Sequence, residues 1–247
     1  MSGLLAALRY LTIVPVPGPR PTGRDALGAA AAWLPVVGGL LGLVLAAVDL
    51  VAGRIFPRLL AALLTVTAWK LLTGGLHLDG LADCLDGLVG RDAEHRLAIM
   101  RDSRIGAFGA IGLILLLLLD LVALADLPPT VASRTLIAAP VIARAMPALV
   151  ARLFRTARAD GHGASFRAAL APSSVGIGLA VALAVAVACL GWRGLASLAV
   201  GVAAALALAW FMARRLGGVT GDVLGATVEL SELAVLLTIS AWTSARP

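Results

Sequence analysis

Charge is what this sequence has least of. Asp, Glu, Lys and Arg make up 14% of its 247 residues, and Lys70 is the single lysine. Soluble domains carry nearer a quarter, so no soluble domain of any size fits here. Cysteine is almost missing: Cys84 and Cys189 are solitary, with no CxxC and no His–Cys cluster. That pattern suggests neither a disulfide framework nor a zinc site. Aromatics are 4% of the chain, and the arginines are scattered and not interleaved with them in runs, which argues against nucleic acid as a partner. No basic residue precedes the first apolar stretch and no A-x-A site follows it, so that stretch does not read as a signal peptide. No Ser-His-Asp or Cys-His arrangement is legible, and no internal repeat is found.

Apolar sequence is abundant instead: 60% of residues are hydrophobic and the mean hydropathy is +0.99. Long apolar runs recur from end to end, predicting an all-α, polytopic membrane bundle that treats residues 1–247 as a single membrane domain with the lipid bilayer as its partner. Seven spans are expected, near 33–52, 59–76, 106–125, 131–150, 174–191, 194–213 and 224–242. Before them, Leu4, Leu5, Leu8 and Leu11 form one apolar face, the pattern of a short interfacial helix, ended by Pro15, Pro17, Pro19 and Pro21. With the N-terminus inside, thirteen arginines fall in inner segments and five in outer ones (Arg54, Arg58, Arg134, Arg193 and Arg246). Lys70 and Arg144 remain within spans. The positive-inside rule then turns the acid-rich segment and the loops near 92–105, 151–173 and 214–223 towards the cytoplasm.

Three constellations carry the chemistry. The first is Asp79, Asp83 and Asp86, spaced i, i+4, i+7. On a helix they share one face, within an arc of roughly 60° and a length of about 10 Å. Acids beside hydrocarbon need partners, and Mg²⁺ on a few carboxylates keeps positions open for phosphate oxygens. Gly74, Gly75, Gly80, Gly87 and Gly90 flank them, each costing a helix up to about 1 kcal/mol while letting a bulky ligand approach. The second is Arg101 and Arg104, three apart, with Ser103 placed to cap the third span; two arginines and a helix start suit a pyrophosphate. The third is Asp222, Glu229 and Glu232 on the last span, where intramembrane acids face the bundle interior and point to a second cation or nucleotide contact. Asp160-Gly161-His162-Gly163 reads as either a substrate-touching turn or a plain loop, and Arg144 as an ion-pair partner for one of the acids.

At these residues the chain resembles the cobalamin synthase family, the adenosylcobinamide-GDP ribazoletransferases of late vitamin B12 assembly. The match rests on GGLHLDGLADCLDGL (Gly74 to Leu88), RLAIMRDSRIGAFG (Arg96 to Gly109) and GGVTGDVLGATVELSE (Gly217 to Glu232). YLTIVPVP (Tyr10 to Pro17) and ARADGHG (Ala157 to Gly163) are similar too. Cys84 stands where the family often has a small polar residue. The resemblance implies a bacterial inner-membrane enzyme that requires Mg²⁺, joins adenosylcobinamide-GDP to α-ribazole or its 5′-phosphate, and releases GMP. On that reading Asp79, Asp83 and Asp86 hold the metal, and Arg101, Arg104, Gly75, Gly80 and Asp160 contact substrate. Asp222, Glu229 and Glu232 then bind a second cation or orient the attacking hydroxyl. A homo-oligomer is left open. CDP-alcohol phosphatidyltransferases are a competing class, but their pattern needs an arginine that the Asp79-Gly80-Leu81-Ala82-Asp83 segment lacks. Membrane prenyltransferases space their aspartates differently. An ion-coupled transporter would want acids at the midplane and internal repeats.

Overall fold

A computed structural model describes residues 3–17, 28 and 30–244. Its helices are α1 (Gly3–Leu11), α2 (Leu34–Ile55), α3 (Arg58–Leu72), α4 (Leu76–Gly87), α5 (Ala93–Ile99), α6 (Ala107–Asp126), α7 (Pro129–Leu153), α8 (His162–Ala169), α9 (Pro172–Leu190), α10 (Trp192–Leu216) and α11 (Gly221–Ser244). The described residues contain no β-strand, only an isolated parallel bridge between Thr156 and Val219. Six helices are long and apolar enough to cross a membrane, and a seventh crossing is made if the bent pair α3–α4 counts as one. The polytopic helical bundle expected from the sequence is therefore present. The short helix expected before the first span is α1, with Ala6, Ala7 and Leu11 buried, and its end is fastened where Arg9 donates to the carbonyls of Val16 and Pro17. Pro19, Pro21, Arg20, Arg24 and Arg246, used in the sequence reading, lie outside the described residues.

The second span differs from expectation. It stops at Leu72 rather than running to 76, and α4 leaves it at 88°. The break is made by Gly74 and Gly75, at φ 62° and 68°, a left-handed geometry that glycine adopts without a Cβ clash. Fifteen residues make about 22 Å of helix, short of a hydrocarbon core of about 30 Å. The acid motif therefore sits on its own short helix, turned across the end of the bundle.

The two most enclosed spans are α7 and α11, whereas α6, α9 and α10 expose most of their surface. This follows from composition. Lipid is as apolar as leucine, so the polar residues of a bundle face inward and the most polar helices are the central ones. Packing along α2–α7 is close because Gly38 and Gly42 bring α2 onto the backbone of α7: a Cβ on either would lie 2.4–2.5 Å from the carbonyl oxygens of Pro140 and Leu136. At the end away from the acid motif, Arg58 joins Asp49 (2.6 Å) and the Leu124 carbonyl (2.6 Å), locking α2, α3 and α6 together. There too the rings of Trp192 and Trp242 meet at a tilt, with their centroids 5.1 Å apart, in keeping with tryptophan's preference for the membrane–water interface.

Candidate functional site

The site lies where α4 crosses the first turn of α11. Gly80 makes the crossing: a Cβ there would meet the Asp222 carbonyl oxygen at 2.7 Å. Backbone approach this close brings Asp79 and Asp83 of α4 beside Asp222 of α11, near enough for all three carboxylates to feel one another. Two glycine-containing loops complete the rim. Ala157 donates to the Val219 carbonyl (2.9 Å) and Val219 to that of Arg155 (2.8 Å). A Cβ at Gly218 would sit 2.5 Å from the Ala157 nitrogen, and one at Gly163 2.7 Å from the Gly221 nitrogen. The ARADGHG and GGVTGD segments, sixty residues apart in sequence, are thus two edges of one seam.

Three hollows meet here. An inward cavity of about 290 Å³ is lined by Asp79, Gly80, Asp222, His77, Tyr10 and Arg144 among mostly apolar walls. A smaller hollow of about 120 Å³ runs from Asp222 to Arg158, Asp160 and His162. A wider one of about 490 Å³ opens from Asp79 and Asp83 to Gly75, Ser103 and Arg104. Arg158 stands over the acids. Its Nη2 donates to the Leu97 carbonyl (2.6 Å), and its Nε finds no partner among the described residues. Desolvation and the nearby Arg101 pull its pKa down, opposed by Asp222, Asp160 and Asp83. It is the cation placed to offset charge in this site, and positive-inside counting alone did not distinguish it.

The predicted residues distribute unevenly over this geometry. Asp79 and Asp83 face hollows, with Asp222 across from them. Asp86 does not join them: its two oxygens accept from the backbone N–H of Gly106 (2.7 Å) and Gly109 (2.8 Å). The carboxylate is the cap of α6, where unpaired N–H groups and the helix dipole favour an anion. Ser103 therefore does not cap the third span. The anion at that helix start is Asp86, supplied from α4. Arg104 lines the wide hollow but is paired bidentately with Asp102 (2.6–3.1 Å), which holds that exposed carboxyl down at about 2. Exposed pairs of this kind are worth little, so a bound phosphate can take Arg104 over. Arg101 and Asp160 are 3.7 Å apart and largely exposed. Gly75 and Gly80 shape the turn and the crossing, and each borders a hollow.

Glu229 and Glu232 stand apart from the rim, buried two to three turns into α11. Lys70 reaches both, at 2.5 Å and 3.4 Å, and Asp120 at 3.3 Å, while Arg144 pairs with Glu232 from the other side. The ion pair expected for Arg144 is present. Lys70 and Asp120 were not foreseen as its neighbours, because nothing local in α3 or α6 signals a partner on α11. The cluster joins α3, α6, α7 and α11 directly beneath the carboxylate rim. Among the described residues, no three His, Cys, Asp or Glu side chains already converge on a single point suited to a metal ion.

Comparison with known proteins agrees with the motifs. The family model described as cobalamin-5-phosphate synthase matches residues 3–240. An adenosylcobinamide-GDP ribazoletransferase of Geotalea daltonii is 39% identical over 95% of this chain and 95% of its own length. One of Pseudomonas syringae pv. syringae is 41% identical over 95% of this chain and 97% of its own. One of Brevibacillus brevis is 37% identical over 97% and 98%. No solved structure matches the chain. With coverage and identity of this order, the chain belongs to the cobalamin-5-phosphate synthase family.

Proposed function

We propose that this membrane transferase joins adenosylcobinamide-GDP to α-ribazole or its 5′-phosphate and releases GMP. In the reaction a ribazole hydroxyl oxygen forms a bond to the phosphorus next to the cobinamide. The bond from that phosphorus to the oxygen of GMP breaks, GMP leaves, and the hydroxyl proton passes to a base at the site. The observation that carries this reading is the meeting of Asp79, Asp83 and Asp222 under Arg158, held by the glycine crossing at Gly80. Phosphoryl transfer needs little more than positioning and charge stabilisation of this kind.

Mg²⁺ suits the donor set. It prefers one or two carboxylates and completes its sphere with water and phosphate oxygens, and Asp79 and Asp83, one helical turn apart, offer that pair. Asp222 faces them from α11 as a further ligand or as acceptor for the hydroxyl proton. When bound, the cation draws charge from the pyrophosphate oxygens. Arg104 and Arg158 steady the leaving GMP phosphate, and the apolar cavity walls keep bulk water from competing with the hydroxyl. The arginine bias turns the rim towards the cytoplasm of a bacterial inner membrane, where nucleotide-activated substrates are made.

The test uses purified protein in detergent with the GDP-activated corrinoid, α-ribazole and Mg²⁺. GMP release is expected, lost with EDTA and restored by Mg²⁺. Asp83→Asn should lower turnover by about 100-fold or more, the scale of removing one transition-state electrostatic contact. Near-normal turnover in that variant sinks the metal assignment, and absence of GMP release by the parent chain sinks the reaction.

A further inference from the structure

The inward cavity has a distinctive end. Along α11 its lining passes from Asp222 through Leu224 and Gly225 to Val228, six residues and about 9 Å of helix. One turn beyond Val228 is Glu232, and the Arg144 bound to it closes that end. Arg144 is 1% exposed. Its Nη1 is engaged by Glu232 and the Pro140 carbonyl, while its Nε and Nη2 find no partner among the described residues. Buried donors left unmade are costly, and Arg144 is itself part of the wall of this cavity, with Leu34, Pro147, Phe166, Leu224 and Val228.

We infer that this cavity is the subsite for the aromatic base of the nucleoside co-substrate, with Arg144 donating to its acceptor nitrogen. The inference rests on the transfer reaction proposed above and assigns one of its two substrates to a place. The size, about 290 Å³, is at the low end for ligand pockets. It takes a bicyclic base and excludes a corrin ring. The base of ribazole is dimethylbenzimidazole, apolar throughout except for one ring nitrogen that only accepts hydrogen bonds. Arginine only donates. Because Glu232 already balances its charge, a neutral acceptor completes Arg144 without adding an uncompensated anion. Guanine fits less well, since its row of N–H donors would face these apolar walls. The carboxylates that would receive them, Asp79 and Asp222, stand at the mouth, where they also border the outer hollows. With the base inside, the sugar points to that mouth and its hydroxyl lies by Asp222.

The test compares two ribosides, of dimethylbenzimidazole and of dimethylindole, in which CH replaces the acceptor nitrogen. Binding to the full chain in detergent is read by titration, without turnover. The parent is expected to prefer the benzimidazole by about tenfold, as one charge-assisted hydrogen bond requires. Arg144→Lys keeps a cation for Glu232 but loses the planar fork, and the preference should largely disappear. Val228→Phe adds bulk to the cavity lining without changing any charge. In the same titration it should raise Kd for the nucleoside about tenfold and leave Kd for the GDP-activated substrate unchanged. Equal binding of both ribosides by the parent would overturn the inference. So would a Val228→Phe effect on the GDP-activated substrate in place of the nucleoside, which would put guanine in the cavity. Neither readout depends on whether the parent releases GMP, so failure of the reaction and failure of this subsite are separable.

Discussion

Asp83 and Asp86 lie three positions apart, and the two carboxylates face different chemistry. Asp83 is half-buried and borders an open hollow, its side chain making no hydrogen bond among the described residues, while Asp86 spends both oxygens on the first turn of α6. Asp86→Ala is therefore expected to lower stability by about 1–2 kcal/mol, the scale of a lost helix cap, seen as a lower thermal midpoint in detergent. Asp83→Asn should leave that midpoint within a degree or two while turnover falls. Equal loss of stability in both variants would contradict the division. Residue spacing alone could not make it, because i, i+4, i+7 gives a common face but not what stands opposite. Asp79, Asp83 and Asp222 were legible as acids beside glycines. Lys70, Asp120 and Arg158 were not, because each is a single charge whose partners lie far along the chain.

At the scale of elements, the site depends on helix approach more than on any donor. Gly80 lets α4 rest on the backbone of α11, and a methyl group there must push the helices apart. A shift of about 1 Å in reacting groups costs about 100-fold in rate, so Gly80→Ala should reduce kcat by about 10–100-fold with circular dichroism unchanged. The boundaries of the long spans were readable from hydropathy to within a few residues. The 88° turn at Gly74–Gly75 was not, since an apolar run and a bent pair of helices have the same composition. A second element-level dependence is the buried cluster. Lys70→Met leaves Glu229, Glu232 and Asp120 facing one another with only Arg144 to balance them. Removing one partner of a buried ion pair costs about 3–5 kcal/mol. Lys70→Met/Glu229→Gln should recover a measurable part of that loss in unfolding by denaturant, and a double variant no more stable than the single would show that the pair is not coupled.

Across the whole molecule, polarity is sorted by end. Asp79, Asp83, Arg101, Arg104, Arg158, Asp160 and Asp222 gather at one end of the bundle, and the Asp49–Arg58 lock and the Trp192–Trp242 pair mark the other. On the proposed reaction, the inward cavity beneath the rim would take the small nucleoside while a large corrinoid stays outside with only its pyrophosphate in the site. That arrangement needs the rim on the side where both substrates are soluble, and the arginine bias points the same way. Two exposed positions test it. Glu94 lies on α5 near the rim, and Arg54 near the far end of α2. In a background lacking Cys84 and Cys189, Glu94→Cys should react with a membrane-impermeant maleimide only after the cells are opened. Arg54→Cys should react in cells whose inner membrane is intact. The reverse pattern would place the carboxylates outside, away from any supply of GDP-activated substrate, and the proposed reaction would then lose its source.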